Sequence, residues 1–297
     1  MSHKNKKSLV RQVQEVYDSM LAIGRSKHQD KIDGVTCDKI YSWSTYNNYM
    51  RHANYFVKYC KEEYGCKNLE QCNPYINDWL VKRIQEGLSP YTIKLEAAAL
   101  AKLYGCSTKD FTKTPARKRE DIQRSRGVKV RDNHFSESKH KELVGFCKST
   151  GLRRAELKVL TGDKLLYKEG KYYIIVDRGS KGGRYREAPV IGDVGNVRIL
   201  MNRAGTEKVF SKVPGGADIH GYRAEYATSI YNMYARPIED IPYDALNWGT
   251  GCLYKTEVYY CRGDRKGIKL DKLAMMEASR ALGHNRISVV GQHYINI

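Results

Sequence analysis

Residues 282–294 read LGHNRISVVGQHY and place a histidine and, ten residues later, a tyrosine near the end of the 297-residue chain. Chain termini usually tolerate change, so such a tyrosine is most simply a packing residue on a last helix. Three more stretches decide between that interpretation and a functional one. They are TGLRRAEL (150–157), GSKGGRYREAPV (179–190) and HGYRAEYAT (220–228).

The charge balance of the chain is strongly basic. It has 52 Lys+Arg against 33 Asp+Glu, a formal net charge of +19, and the basic residues are spread along the sequence. Such a balance in a globular chain indicates a polyanionic partner, and nucleic acid is the commonest one. With 41% hydrophobic residues the chain can bury a core, which excludes a disordered tail protein. The length allows one large domain or two ordinary ones.

Neither a membrane segment nor a metal-binding pattern is visible. The chain starts with polar residues, and no apolar run approaches the roughly 18 residues of a membrane span. We therefore expect a cytoplasmic protein without a membrane partner. The eight cysteines include no C-x-x-C pair and lack zinc-finger spacing. We expect them to be reduced thiols, and we expect no metal and no cofactor.

Helical periodicity dominates the N-terminal part of the chain. The pattern predicts a helix over 8–23 that stops at Gly24, followed by a linker over 24–41. Residues 42–111 predict a small helical bundle rich in Lys, Arg and Tyr. Its three helices each have a capping residue in front and a glycine behind: Ser44 or Thr45 and Gly65, Asn73 and Gly87, Ser89 and Gly105.

The pattern changes after a basic linker. Residues 112–133 are highly charged and lack apolar periodicity, so they are the best linker candidate, and they could also lie along a phosphate backbone. From residue 134 the sequence predicts helices with a small sheet. Residues 136–151 and 219–236 have helical patterns, and residues 171–191 (KYYIIVDRGSKGGRYREAPVI) predict a β-hairpin.

In this order, the four quoted stretches resemble the tyrosine recombinase (phage integrase) family, of the mobile-element integrase type. The family pattern has an arginine after Thr-Gly-Leu, a lysine in a β-turn and a His-x-x-Arg pair on a helix. A Leu-Gly-His and a tyrosine some nine or ten residues further on complete it. Each motif alone is weak, whereas five elements in the right order are specific.

The resemblance covers about residues 42–297 and implies an architecture. The protein is expected to be mainly α with a small antiparallel β-sheet. A helical, SAM-like core-binding domain (42–111) and an α+β catalytic domain (134–297) would form a C-shaped clamp on double-stranded DNA. The resemblance also implies a homo-tetramer on paired recombination sites, with accessory DNA-bending or directionality factors as further partners.

The family's catalytic positions map onto six residues: Arg153, Lys181, His220, Arg223, His284 and Tyr294. Cleavage of a phosphodiester without a metal requires donors on its non-bridging oxygens, and guanidinium groups match two such oxygens. A tyrosine hydroxyl, with a pKa near 10, is a poor nucleophile unless positive charge or a base assists it. The expected products are a 3′-phosphotyrosine link to Tyr294 and a 5′-hydroxyl, with Lys181 as the general acid.

Some of these assignments have competitors in the sequence. Arg184 and Arg186 lie on the same hairpin as Lys181. His220 could accept a proton or position the arginine three residues later. Glu156 matches an acidic position of the family, and its simplest role is to buttress an arginine.

Two features depart from the family pattern. Sixty residues separate Arg223 from His284, and the extra part, about 237–272, predicts a β-hairpin with a basic turn over 262–266. It would contact DNA or a neighbouring subunit, or be a solvent-exposed insertion. Only three residues follow Tyr294, so the grip that many relatives make on the next subunit is expected to be absent or supplied by the insertion or the 8–23 helix.

The sequence thus predicts a site-specific DNA recombinase or integrase that needs neither metal nor ATP. A type IB topoisomerase-like enzyme would use the same chemical roles and relax DNA without pairing sites. A catalytically silent DNA-binding regulator has no reason to retain all six residues. A zinc-dependent nuclease would need clustered ligands, which the cysteines and histidines do not provide.

Overall fold

The computed structural model describes residues 7–118, 135–180, 185–284 and 286–296, and these fall into two units that divide after Arg117. The fold is mainly α with small antiparallel sheets, which confirms the predicted fold class. Within the described ranges, no helix has both the length and the apolar character that crossing a membrane requires.

The described part of the first unit consists of helices, apart from one isolated β-bridge. Its helices are α1 (Leu9–Ser19), α2 (Lys27–Ile32), α3 (Trp43–Tyr64), α4 (Leu69–Cys72), α5 (Ile76–Gln85) and α6 (Pro90–Tyr104). Helix α6 matches its sequence signals, because Ser89 caps it and Gly105 ends it with a left-handed backbone. Two predicted caps were wrong. Ser42 caps α3, and Asn73 lies in a 3₁₀ turn that joins α4 to α5.

The predicted linker over 24–41 is instead part of the first unit's packing. It contains α2, and Ile40 is buried in the same core as α1 and α3. Leu21 and Ile40 form a parallel bridge, which is why α1 ends at Ser19 rather than at residue 23. The amine of Lys102 binds backbone carbonyl groups of this segment. Tertiary contacts therefore order a segment whose sequence has no periodicity.

Only the start of the predicted basic linker 112–133 lies within the described residues. The amide of Thr112 donates to the Asn77 side chain at 2.8 Å, and the guanidinium of Arg117 lies 5.4 Å from the centre of the Tyr91 ring. These first residues thus pack against the helical unit. The remainder, 119–133, is outside the described ranges.

The second unit combines helices with three small sheets. Its elements are α7 (Lys141–Thr150), α8 (Arg154–Leu157), β1 (Leu165–Lys168), β2 (Lys171–Val176), β3 (Arg186–Pro189), α9 (Val194–Ala204), α10 (Ile219–Tyr234), β4 (Ala245–Asn247), β5 (Cys252–Tyr254), β6 (Val258–Tyr260), β7 (Lys269–Asp271), α11 (Lys272–Leu282) and α12 (Ile287–His293). The predicted hairpin is formed by β2 and β3, to which β1 adds a third antiparallel strand. Ile174 and Ala188 pair across it, and both are buried.

The insertion between α10 and α11 contains two hairpins rather than one. The predicted hairpin is β6–β7, whereas β4–β5 was not predicted. Val258 and Leu270 of β6–β7 are buried, and Leu270 belongs to a core shared with α10, α11 and α12. The β6–β7 hairpin is therefore part of the second unit's core and is not a solvent-exposed insertion.

Gly151, at the end of α7, packs closely against the Tyr226 ring of α10 beside the candidate site. Its φ of 60° is left-handed, and a Cβ there would lie 2.2 Å from the Tyr226 ring. That ring is fully buried and fixed by a 2.7 Å hydrogen bond from its hydroxyl to the Pro189 carbonyl. Only glycine therefore allows α7 to end against α10 and lead into α8.

Gly151→Ala is predicted to destabilise the second unit by about 3 kcal/mol, because it adds steric overlap to backbone strain. The matched control is Gly105→Ala in the first unit. Gly105 also ends a helix, at φ 65°, but nothing lies within 4 Å of its Cβ position. Backbone strain alone should cost about 1 kcal/mol there. Urea unfolding of each unit measures both effects, and equal losses would contradict the steric argument.

Candidate active site

Four of the predicted site residues come together in the second unit. Arg153 is the residue immediately before α8, and Arg223 lies in the middle of α10. His284 follows the glycine that ends α11, and Tyr294 follows α12. The chain thus gathers residues that are up to 141 positions apart, and each sits at or beside a helix that core packing holds.

Arg223 is the centre of this group, and its side chain is completely buried. Its guanidinium donates to the Gly151 carbonyl and, at 2.6 Å, to the Leu282 carbonyl. Burial, followed by the charge of Arg153, lowers the pKa of Arg223 to about 10, so it stays protonated at neutral pH. Its Nε has no hydrogen-bond partner among the described residues. The buried cation therefore retains donor capacity for an anion.

Arg153 reaches the same backbone carbonyl as Arg223. Its Nη2 donates to the Leu282 oxygen at 3.3 Å. This carbonyl belongs to the last turn of α11, where backbone oxygens lack intrahelical partners and carry partial negative charge. The end of α11 thus holds the two guanidinium groups side by side.

Glu156 is the carboxylate that balances this positive charge. It is 2% exposed and accepts from the Arg153 backbone amide at 2.7 Å and side chain at 2.8 Å. Arg186 of β3 donates to both of its oxygens, at 2.8 and 2.7 Å. Burial would raise the pKa of Glu156, but the hydrogen bonds and charge of Arg186 and Arg153 lower it to about 2. Glu156 is therefore ionised at neutral pH and buttresses two arginines.

Arg186 also belongs to the site. In the sequence analysis it was only an alternative to Lys181 on the same hairpin. It is buried, and its Nε also donates to the Ala281 carbonyl at 3.3 Å. The one available signal was its register, because Arg186 lies two residues before the buried Ala188 in β3 and therefore faces the same side of the sheet. Among the described residues of this cluster there are three guanidinium groups and one carboxylate, which binds two of them, so the site carries excess positive charge.

His284 and Tyr294 lie on the other side of Arg223. Their ring centres are 5.2 Å apart, and the Cζ of Arg223 is 5.5 Å from the centre of the Tyr294 ring. Burial, and then the positive charges of Arg223, Arg153 and Arg186, lower the pKa of His284 to about 4. His284 is therefore neutral at pH 7. Its Nε2 is 3.4 Å from Arg223, which can only donate, so the ring proton is assigned to Nδ1.

The described residues do not place the other two predicted site residues in this cluster. Lys181 lies in 181–184, outside the described residues. The chain two residues earlier approaches α8 closely, since a Cβ at Gly179 would lie 2.7 Å from the Ala155 carbonyl oxygen. His220 is exposed on the first turn of α10, one turn before Arg223. No group of three or more metal-ligating side chains occurs within the described ranges.

Glu156→Gln is predicted to lower the unfolding free energy by about 3 kcal/mol, because it leaves a buried arginine without its counter-charge. The change preserves side-chain shape, so packing loss does not account for the effect. Glu142→Gln is the matched control, because the side chains of Glu142 and its partner Arg203 are 58% and 62% exposed. Its expected cost is below about 1 kcal/mol. Denaturant unfolding that gave the two variants the same stability would contradict the role of Glu156.

Among solved structures, the chain is similar to the XerH site-specific recombinase bound to palindromic difH substrate in a post-cleavage complex. The TM-score is 0.52 and the identity 15%, over 96% of this chain and 91% of that one. It is also similar to the Tn1549 transposon integrase in complex with circular intermediate DNA, with a TM-score of 0.47 and 13% identity over 98% and 96% of the two chains. By sequence, no family model and no curated protein matches the chain. At these identities the likeness concerns the fold alone, and this chain shares its fold with the XerH recombinase.

Proposed function

We propose that the chain is a site-specific DNA recombinase that cleaves and rejoins strands through a covalent 3′-phosphotyrosine intermediate on Tyr294. The observation that carries the proposal is the placement of the buried Arg223 guanidinium between Arg153, His284 and the Tyr294 ring. Cleavage of a phosphodiester by a tyrosine requires such a nucleophile next to a cluster with excess positive charge. The same activity would integrate or excise a mobile element.

In the proposed reaction, Tyr294 gives up its phenol proton to a base, for which His220 is a candidate, and the phenol oxygen attacks the phosphorus of a scissile phosphodiester. The bond from phosphorus to the 5′-oxygen breaks, and the 3′-phosphate remains esterified to the tyrosine. The departing 5′-oxygen takes a proton, which we assign to Lys181 as general acid. A 5′-hydroxyl from the same or a partner strand reverses the step. Because the ester conserves the bond energy, rejoining needs no nucleotide cofactor.

Arg153 and Arg223 would bind the non-bridging oxygens of the phosphate. Their guanidinium groups are fixed by the Leu282 carbonyl before any substrate arrives, so little reorganisation is needed as charge develops. Neutral His284 offers one N–H donor to the same group. His220, one turn before Arg223, is proposed to position that arginine or to accept a proton.

The DNA partner follows from charge as well as from the site. The net charge of +19 supports strong, salt-sensitive binding to a phosphate backbone. XerH, whose fold the chain shares, was solved with its difH substrate. We propose that this chain likewise binds double-stranded DNA at specific sites. A homo-tetramer on two paired sites and accessory factors are further expectations.

Tyr294→Phe is predicted to abolish covalent attachment to DNA without abolishing DNA binding, because the substitution removes only the attacking oxygen. Wild type and variant are expressed in the cell that naturally encodes the chain, and the cells are denatured rapidly. The protein is then captured with its attached DNA, and that DNA is sequenced. Wild type should carry a discrete set of junction sequences on a 3′-phosphotyrosine, and Tyr294→Phe should carry none.

Tyr167→Phe is the control, because Tyr167 is an exposed tyrosine on β1, away from the cluster. It should retain covalent DNA at the wild-type level. Scattered attachment sites in wild type would instead support a topoisomerase-like enzyme. Tight DNA binding without covalent DNA in any variant would contradict catalysis and favour a silent regulator.

A further inference from the structure

The inserted β6–β7 hairpin holds the segment that carries Tyr294. The turn of the hairpin places Arg265 at the end of a 3₁₀ helix, where its side chain is turned inward and only 6% of the residue is exposed. Its Nη1 donates to the carbonyl of Gly291 and, at 2.8 Å, to the carbonyl of Ile295. One guanidinium nitrogen thus binds backbone on both sides of Tyr294.

These carbonyls need such a partner. Helix α12 is only seven residues long, and the last four carbonyl groups of a helix receive no hydrogen bond from an N–H of the same helix. A cation at the C-terminal end of a helix also interacts favourably with the helix dipole. The charge-assisted bond from Arg265 to Gly291 therefore fixes the end of α12, and the bond to Ile295 fixes the chain after Tyr294.

Apolar contacts and two further hydrogen bonds complete this attachment. Ile295 is fully buried in the core that includes Leu270 of β7. Gly291 allows close packing, since a Cβ there would lie 2.8 Å from Met275 and 3.3 Å from the Tyr259 ring.

Two hydrogen bonds also hold this segment. The Gln292 side chain donates to the Arg262 carbonyl of the hairpin, and the Thr228 hydroxyl of α10 donates to the Tyr294 carbonyl.

The base of the hairpin is tied to the helix that carries Arg223. Arg236, two residues after α10, donates to both carboxylate oxygens of the buried Asp271, at 2.8 and 2.9 Å. The Asp271 carboxylate also caps α11 by accepting from the Leu273 amide. The hairpin therefore connects α10 and α11, which supply Arg223 and His284, to the segment that supplies Tyr294.

We propose that Arg265 of the inserted hairpin is the positioning residue that fixes Tyr294 of its own chain against Arg223 and His284. This role rests on the proposed function, since it matters for catalysis only if Tyr294 is the nucleophile. Arg265 acts through the backbone of the tyrosine segment and does not touch the phosphate. In this proposal the insertion acts within its own subunit, whereas the sequence had suggested a contact with DNA or with a neighbouring subunit.

A first test needs no DNA. Amide hydrogen exchange over residues 287–296 is measured in the full chain for wild type, Arg265→Gln and Arg265→Lys. Exchange there should be roughly 10-fold faster or more in Arg265→Gln, and intermediate in Arg265→Lys, which keeps a single point donor. Lys269→Gln, an exposed charge on the same hairpin, should leave exchange unchanged. Unchanged exchange in Arg265→Gln would overturn the proposal.

A second test separates positioning from a general structural role. The DNA site identified by covalent capture is supplied at a saturating concentration. Arg265→Gln should then form the covalent complex roughly 10–100-fold more slowly than wild type, with unchanged DNA affinity. Arg265→Lys should restore part of the rate.

A peroxide reaction bypasses the tyrosine. Hydrogen peroxide is supplied to Tyr294→Phe, so that the peroxide anion attacks phosphorus, the same 5′-hydroxyl strand leaves and a 3′-peroxyphosphate remains.

Because peroxide does not need a held tyrosine, adding Arg265→Gln to Tyr294→Phe should leave strand release by peroxide within about twofold. An equal loss in the tyrosine and peroxide reactions would show that Arg265 supports the whole site, and would overturn a positioning role. Absence of covalent DNA in wild type would contradict the proposed function itself. Hydrogen exchange over 287–296 would then still decide whether Arg265 fixes the segment.

Discussion

The central constraint in the second unit is the shortage of negative charge around three guanidinium groups. Arg153 and Arg186 share the buried carboxylate of Glu156, whereas the hydrogen-bond partners of Arg223 among the described residues are backbone carbonyls and His284. A buried charge is costly unless it is paired and hydrogen-bonded, so each of these contacts is needed to keep the cluster folded. The uncompensated charge that remains is what a phosphate would neutralise.

The backbone of α11 makes this cluster possible. The Leu282 carbonyl accepts from Arg153 and Arg223, and Gly283 then turns the chain so that His284 faces Arg223. Burial, and then the same positive environment, keep the pKa of His284 well below its usual value. If the site binds phosphate as proposed, the negative charge of the phosphate would raise that pKa again, and His284 would then link the protonation of the site to its occupancy.

The sequence predicted those parts of the fold whose signals are local. Ser89 and Gly105 mark α6 because capping and a left-handed end depend on neighbouring residues. The ordering of 24–41 depends on long-range contacts to Ile40, which no local pattern encodes. Arg186 and Arg265 were missed for the same reason. Their partners lie 30 and 26 or more residues away, and a lone arginine on a hairpin has the same appearance whether it is exposed or buried.

The most direct test of the account asks whether Arg153 neutralises phosphate charge. Cleavage by wild type and Arg153→Ala is compared on a site with an ordinary scissile phosphodiester and on one with an uncharged methylphosphonate at that position. If Arg153 neutralises the phosphate, Arg153→Ala should lose activity on the phosphodiester, by roughly 100-fold or more, and recover most of it on the methylphosphonate. Equal losses on both substrates would mean that Arg153 only supports Glu156, and would contradict the charge-compensation account.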